Sequence, residues 1–514
     1  MQRIQSFSLR GIDAVPVEIE CDERPRRDGA ADTGPRTVIV GLPDASVRES
    51  HQRVRAALSS SRLPHPRGDC VINLAPADLR KEGPVYDLPI ALALLRMQGV
   101  IGEEADERLN HLGFAGELAL DGLVRPIRGT TSFAALARER GLRGLVVPAA
   151  NAPEAAAVAG LDVYGIHTLE EAVGFLNGLL AIDREQPPAA CTPPFGAAID
   201  FAEVRGQEAA KRALGIAAAG SHNALLIGPA GSGKTMMARA LPGILPGLSS
   251  DESLEVTRIY SAIGAVPRGA GLIHERPFRA PHHSASAAAI VGGGGMPRPG
   301  EVSLAHHGVL FLDELPEFPR GALECLREPL EDGFVTVSRV NGTVRFPART
   351  MLVAAMNPTH AGGFAQSATE RRAQDKYIGK LSGPLLDRID MHVEIRAVPF
   401  AALQSSRPGL TTAVLRQKVA EARSSMEGRQ GANRPNARLG GRDLDRLCAL
   451  DAPAQAMIES AMRDLGLSAR AYDRIRRVAR TIADFDGVER VGEAQVAEAI
   501  HYRILDRIRH GAAA

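Results

Sequence analysis

The sequence predicts an α/β protein in which a phosphate-binding-loop core follows a mixed α/β domain and precedes a helical domain. Three observations carry this reading. Gly228-Pro229-Ala230-Gly231-Ser232-Gly233-Lys234-Thr235 fits G-x-x-x-x-G-K-[ST] at every specified position. It lies between Ala224-Leu-Leu-Ile227, which reads as a buried strand, and a helical run from Met236 to Leu241. Val309-Leu-Phe-Leu312 is a second apolar strand, and it ends in two carboxylates, Asp313 and Glu314. From Thr411 to His510, apolar residues recur at spacings of three and four, as on one face of a helix.

The loop and the carboxylates define a chemistry. Glycines let backbone N–H groups turn toward phosphate oxygens, and a helix start adds a favourable dipole. Lys234 reaches the β- and γ-phosphates of ATP, and Thr235 offers its hydroxyl to Mg²⁺. Ligands sit at the carboxyl ends of parallel strands, where Asp313 is placed to hold the metal and Glu314 to polarise water. Met351-Leu-Val-Ala-Ala-Met-Asn357 is a further buried strand ending in an amide suited to orienting that water. Nucleotide hydrolysis is the expected reaction.

The totals set the frame. A chain of 514 residues exceeds one ordinary core. Lysine and arginine number 61 against 60 acidic residues, which argues against a polybasic tail but not against a local basic channel. Five cysteines, Cys21, Cys70, Cys191, Cys325 and Cys448, are scattered and form neither a disulfide framework nor a metal cluster. The chain shows no signal-peptide core and no apolar run of membrane-spanning length, so a cytoplasmic protein without a membrane partner is expected.

The expected boundaries are 1–183 for the first domain, 184–199 for a linker, 200–398 for the nucleotide core and 399–514 for the helical lid. In the first domain, strands are expected at Val17 to Glu20, Thr37 to Val40, Cys70 to Leu74, Gly113 to Leu118 and Leu145 to Pro148. Helices are expected at Asp44 to Leu58 and Leu88 to Met97, with a polar loop from Cys21 to Pro35. Proline density marks the linker around Pro187 to Pro194. Residues 274–308, with five histidines and a glycine run, read as a loop beside the nucleotide. Adjacent histidines diverge on regular backbone, which disfavours a metal site there. In the lid, Leu444, Leu447 and Leu450, and Ile475, Val478 and Ile482, form apolar faces, with a loop over 428–441.

Several longer stretches resemble one family. They include Ile39-Val-Gly-Leu-Pro-Asp-Ala45, Asn73-Leu-Ala-Pro-Ala-Asp-Leu79, Tyr86-Asp-Leu-Pro-Ile90 and Arg276-Pro-Phe-Arg-Ala-Pro-His-His283. Arg298-Pro-Gly-Glu-Val-Ser-Leu-Ala305, Leu310-Phe-Leu-Asp-Glu-Leu-Pro-Glu317 and Ser382-Gly-Pro-Leu-Leu-Asp-Arg-Ile-Asp390 continue the match. Over almost its full length the chain resembles the magnesium-chelatase-like AAA+ ATPases of the YifB/ComM family. The resemblance implies a homo-hexamer with nucleotide between subunits. It implies Asn357 as first sensor, Arg388 as an arginine finger reaching the next subunit's nucleotide, and Arg470, in the lid, as second sensor. The first domain resembles the fold shared by ribosomal protein S5 domain 2 and the Lon peptidase domain. A Lon-type site needs serine and lysine together. Here Asp87 follows Lys81 where serine would be sought, and Ser46, Ser50 and Ser132 lie elsewhere, so an inactive peptidase-like domain is expected. Relatives commonly carry cysteines after the sensor asparagine, whereas Asn357-Pro-Thr359-His360-Ala361 runs on to Ala373 without one. A zinc staple is therefore absent.

The resemblance implies an ATP- and Mg²⁺-dependent DNA motor acting on single-stranded or branched DNA, a branch-migration helicase that aids recombination of incoming DNA in natural transformation. Arg268, Arg276, Arg279, Arg298 and Arg339 are candidate phosphate contacts. A protein-remodelling ATPase, a magnesium-chelatase motor subunit and a nucleotide-dependent switch are the alternatives.

Overall fold

The computed structural model describes residues 3–24, 36–188, 199–294, 297–339, 342–359, 368–398 and 409–505. The expected polar loop from Cys21 to Pro35 is strand as far as Arg24, and its remainder, like the linker, the 399–408 connector and the cysteine-free stretch from 360, lies wholly or partly outside them. The chain forms two compact units, Met1–Pro193 with Ser249–His274, and Pro194–Leu248 with Glu275–Ala514.

In the first unit a mixed seven-stranded sheet has the order β3-β4-β2-β1-β5-β8-β9. Its strands are β1 (Arg3–Arg10), β2 (Asp13–Arg24), β3 (Thr37–Val40), β4 (Asp69–Ala75), β5 (Leu112–Phe114), β8 (Gly144–Pro148) and β9 (Asp162–Ile166); a small antiparallel pair, β6 (Glu117–Leu118) and β7 (Val124–Arg125), stands apart. The polar β1, RIQSFSLR, gave no strand signal in the sequence, yet it buries Ile4, Phe7 and the serines Ser6 and Ser8. Helix Ala45–Ser60 starts at Asp44, whose carboxylate accepts the Val47 N–H. Helix Asp87–Met97 is apolar nearly all round and buries Leu88, Ile90, Leu92 and Leu95. A helix of that kind belongs inside a core.

The sequence reading put residues 249–274 within the nucleotide core, but they fold with the first unit. Helix Ser250–Ile263 opens with a Ser249/Glu252 capping box. Its Ser261 hydroxyl donates to the buried Glu154 carboxylate, which also accepts from Thr131 Oγ1 at 2.7 Å. Its Arg258 donates to Asp13 at 2.7 Å. Ser250–Ile263 carries only scattered apolar positions, and its polar side chains find their partners across tertiary contacts that periodicity does not register.

In the second unit a five-stranded parallel sheet has the order β11-β14-β17-β10-β18. It comprises β10 (Ala224–Ile227), β11 (Phe278–Arg279), β14 (Val309–Leu312), β17 (Met351–Met356) and β18 (Met391–Glu394). Every residue of β10, β14 and β17 is buried, as expected of parallel strands covered on both faces. Residues 274–308 stay irregular at 274–277 and 280–286 but are not a loop throughout. They form β11, helix Ala287–Val291, the hairpin β12 (Gly292–Gly293) and β13 (Arg298–Pro299), and helix Glu301–Leu304. A second hairpin, β15 (Phe334–Arg339) with β16 (Gly342–Pro347), buries Val335, Val337, Val344 and Phe346 and turns Thr336, Ser338, Thr343 and Arg345 outward.

The C-terminal region is helical, with helices Thr412–Gln430, Gly441–Leu447, Ala452–Asp464, Ala469–Phe485 and Glu493–His501. Ile475, Val478 and Ile482 are buried as expected, whereas Leu447 and Leu450 are only half-buried. The first and fourth of these helices pack on helix Glu208–Gly220 beside the sheet. A buried polar chain ties them down: His222 meets Thr481 Oγ1 at 2.7 Å, and Asn436 donates to Thr481 and Asp484. Arg429 donates twice to Asp484, at 2.7 and 2.8 Å. Among the described residues, no helix is long and apolar enough to cross a membrane.

Candidate nucleotide site

The loop after β10 turns on glycines. Gly231 and Gly233 have φ of +74° and +91°, open to glycine at little cost. A Cβ on Gly228 would meet the Ile395 carbonyl oxygen at 2.2 Å, so close backbone approach requires glycine there too. Ser232 Oγ donates to the Pro229 carbonyl at 2.7 Å, and Ala230 lies exposed at the tip. Gln207, itself at φ +62°, donates through its amide to the Arg396 carbonyl at 2.6 Å and the Ser232 carbonyl at 3.4 Å. Sequence reading gave Gln207 no role at the loop.

Lys234, Thr235, Asp313 and Asn357 come together at the carboxyl ends of β10, β14 and β17. Lys234 Nζ donates to the carbonyls of Gly228 (2.7 Å) and Pro229 (2.8 Å) and to Asn357 Oδ1 (3.1 Å). Burial lowers its ammonium below the ordinary lysine value, against the pull of Asp313 and Glu314. Thr235 Oγ1 donates to Asp313 Oδ2 at 2.7 Å. Two oxygens on neighbouring corners of an Mg²⁺ octahedron stand about 2.9 Å apart. The Thr235–Asp313 spacing therefore fits a magnesium ion with little movement. Glu314 adopts the left-handed conformation, φ +53°, and its N–H is accepted by Asp313 Oδ1 at 3.0 Å. A non-glycine residue in that region is uncommon and clusters at functional sites.

Arg388 and Arg470 make their bonds away from these residues. The Arg388 carbonyl accepts from Asn223, the residue before β10, at 2.9 Å. The phosphate loop begins after β10, so about 16 Å of extended chain separates these points. Arg388 Nε donates to the Arg327 carbonyl at 3.1 Å, Nη1 to the Pro384 carbonyl at 2.7 Å, and Nη2 pairs with Glu331. Arg470 is largely exposed and stands 4.0 Å from Asp387, the neighbour of Arg388. Beside them Asp390 accepts the Asn223 N–H at 2.9 Å and faces Arg474 at 3.6 Å. Burial would raise the Asp390 carboxyl, but the His222 hydrogen bond, the Arg474 guanidinium and the Asn223 N–H outweigh it and hold the group at about 2.

Two of the arginines read as phosphate contacts are anchors instead. Arg276 donates to the carbonyls of Pro246 (2.6 Å) and His307 (2.7 Å), and Arg279 forms a two-bond pair with Glu301 at 2.6 and 2.8 Å. Arg298 and Arg339 remain exposed on the two hairpins, and Arg268 is exposed in the first unit. In that unit Asp87 is held by Arg53 at 2.7 and 2.9 Å, Lys81 Nζ donates to the Pro76 carbonyl, and Ser132 Oγ donates to Ile12 O at 2.6 Å. Ser50 Oγ accepts from Arg53 at 3.1 Å. These groups are engaged in hydrogen bonds within the first unit.

A phosphate loop, paired carboxylates and a strand-end asparagine on a parallel sheet, followed by a helical region, define a nucleotide-dependent ATPase of the AAA+ type. Family comparisons agree. The models for magnesium chelatase subunit ChlI match residues 200–403 and 29–151, and its C-terminal model matches 409–503. Competence protein ComM of Haemophilus influenzae is 41% identical over 519 residues, covering 98% of each chain. The uncharacterized protein YifB of Escherichia coli is 41% identical over 508 residues, 98% of this chain and 97% of its own. The uncharacterized protein Rv2897c of Mycobacterium tuberculosis is 42% identical over 510 residues, 98% of both. The chain belongs to the YifB/ComM family of magnesium-chelatase-like AAA+ ATPases.

Proposed function

We propose that this chain is a Mg²⁺-dependent ATP hydrolase that works as a cytoplasmic homo-hexamer and moves single-stranded or branched DNA. By this reading it is a branch-migration helicase serving recombination of incoming DNA. Lys234 and the backbone of residues 228–235 bind the phosphates. Thr235 and Asp313 would hold magnesium, which supplies charge neutralisation on the phosphoryl oxygens. Glu314 takes the proton of the attacking water, and Asn357 orients that water near Lys234.

The observation that supports the reading is that the Arg388 carbonyl accepts from Asn223 at the start of β10, whereas the phosphate loop follows the end of that strand. The Arg388 backbone lies at the start of β10, a strand's length from the loop that follows it, and its guanidinium is bonded elsewhere. A second copy, docked head to tail, brings Arg388 and Arg470 together to that loop, and head-to-tail contacts close into rings. Transition-state charge is then neutralised only in the assembly. The first unit is read as a Lon-peptidase/S5-domain-2-like domain without a peptidase site, given the packing of Asp87 and Lys81.

The DNA part rests on the two hairpins. β12–β13 lies against β15, and they present Arg298, Arg339 and Arg345 outward. Such a ridge suits a phosphate backbone. The printed name of the Haemophilus influenzae relative, a competence protein, points the same way. The test is DNA stimulation of ATP turnover. Single-stranded DNA should raise the rate severalfold, salt should abolish the rise, and the Arg298→Ala/Arg339→Ala double variant should lose it while keeping the basal rate. Stimulation by unfolded protein instead of DNA would refute the reading.

A further inference from the structure

Arg388, read above as acting on a neighbouring copy, is not free in its own chain. Its side chain is only 11% exposed, and all three guanidinium nitrogens are engaged. Nε donates to the Arg327 carbonyl at 3.1 Å, Nη1 to the Pro384 carbonyl at 2.7 Å, and Nη2 to the Glu331 carboxylate. Two of these acceptors are neutral and one is charged. The Pro384 carbonyl belongs to the short helix Gly383–Leu386, whose last carbonyls have no partner within the helix. A basic side chain near a helix end commonly satisfies them.

The backbone around Arg388 is pinned on both sides. Asn223 donates to the Arg388 carbonyl at 2.9 Å, and the Ile389 carbonyl accepts from Arg474 at 3.2 Å and from the buried Arg503 at 2.8 Å. To reach a neighbour, the side chain must turn out on a fixed backbone and give up all three bonds. Glu331 is the partner that opposes this most, since a charge-assisted bond is about twice as strong as a neutral one. It sits on helix Arg327–Asp332, where Arg327, one turn earlier, is the neighbouring cation. Arg327 pairs with Glu324 at 3.0 Å, which leaves the Glu331 carboxylate to Arg388. The Glu331 side chain is 55% exposed, so water can replace the guanidinium when it leaves.

We propose that Glu331 is an autoinhibitory latch on Arg388, holding the guanidinium in its own chain until a neighbouring copy presents a nucleotide phosphate. The proposal rests on the reading of Arg388 as a finger acting between copies. Carboxylate-bound and phosphate-bound arginine are two states of one side chain, and the phosphate draws it off only by binding it better. An isolated chain keeps its finger parked, and hydrolysis waits on assembly around bound nucleotide.

The test uses the full chain, with phosphate release at saturating ATP measured over a range of protein concentrations, beside equilibrium binding of a fluorescent ATP analogue. Glu331→Gln keeps the shape and removes the charge. Below the protein concentration at which activity saturates, it should raise turnover per chain about two- to five-fold, the size expected of one partly exposed ion pair. Analogue binding should be unchanged, since the latch acts on the neighbour's nucleotide and not on its own. Adding Arg388→Ala to Glu331→Gln should abolish both the gain and the activity. Equal or lower turnover in Glu331→Gln with analogue binding intact would overturn the latch, as would a gain that persists in the double variant. Hydrolysis by Arg388→Ala alone at the unaltered rate would instead overturn the finger reading, and the latch with it.

Discussion

Thr235 Oγ1 donates to Asp313 Oδ2 at 2.7 Å, joining residues 78 positions apart in the chain. The contact exists because β10 and β14 flank β17 in one parallel sheet and end at the same edge. Both oxygens are hard ligands at a spacing that suits magnesium. Asp313→Asn removes the charge and keeps the shape. It should lower ATP hydrolysis by about 10²-fold or more and raise the Mg²⁺ concentration needed for half-maximal rate. A magnesium titration of phosphate release checks both.

Lys234 and Glu314 should separate binding from chemistry. Lys234→Ala removes the ammonium that three acceptors hold in the loop, and both nucleotide affinity and rate should fall. Glu314→Gln leaves the loop intact. It should bind ATP normally and hydrolyse it about 10²–10⁴-fold more slowly. Binding of a labelled nucleotide beside single-turnover hydrolysis distinguishes the two.

Arg388 makes its bonds at the end of the sheet away from the loop. Lys234→Ala and Arg388→Ala should each be inactive alone. Mixed one to one and allowed to exchange subunits, they should regain ATPase activity. In a head-to-tail ring roughly a quarter of the interfaces then pair an intact loop with an intact arginine. Two inactive variants that stay inactive after verified exchange would place the finger elsewhere.

His392 gives the fold a pH dependence. It is 1% exposed on β18, and neither ring nitrogen has a hydrogen-bond partner among the described residues. Burial, with Arg503 and Arg474 nearby, depresses its pKa well below the usual value. The unfolded chain, with an ordinary histidine near ~6.5, therefore takes up a proton that the folded chain refuses. Its contribution to stability is complete above that unfolded value and declines as pH falls below it. Between about pH 7.5 and 5.5 the loss should be about 1 kcal/mol. His392→Leu should remove this slope and cost little at neutral pH, since no hydrogen bond is broken. Urea midpoints at the two pH values measure it.

The nucleotide site was legible in the sequence because its signals are local. Eight consecutive residues define the phosphate loop, and Asp313, Glu314 and Asn357 each end an apolar strand. The arginines were not. Arg276, Arg279 and Arg298 share one stretch and one charge, and only their partners distinguish two anchors from an exposed hairpin residue. Ser250–Ile263 was assigned to the core by its place in the chain, but Glu154, more than ninety residues before it, holds it in the first unit. β1 alternates apolar and polar residues too imperfectly to register, since it buries two serines along with Ile4 and Phe7. The remoteness of Arg388 from its own loop is a property of the sheet, and no spacing along the chain expresses it.

The most direct test of the motor account is release of a labelled arm from a synthetic four-way DNA junction. Assembled protein would be assayed with ATP, with ADP alone, and as the Lys234→Ala variant with ATP. The account predicts release with ATP and none in the other two reactions. A ring that hydrolyses ATP yet leaves the junction whole would contradict it.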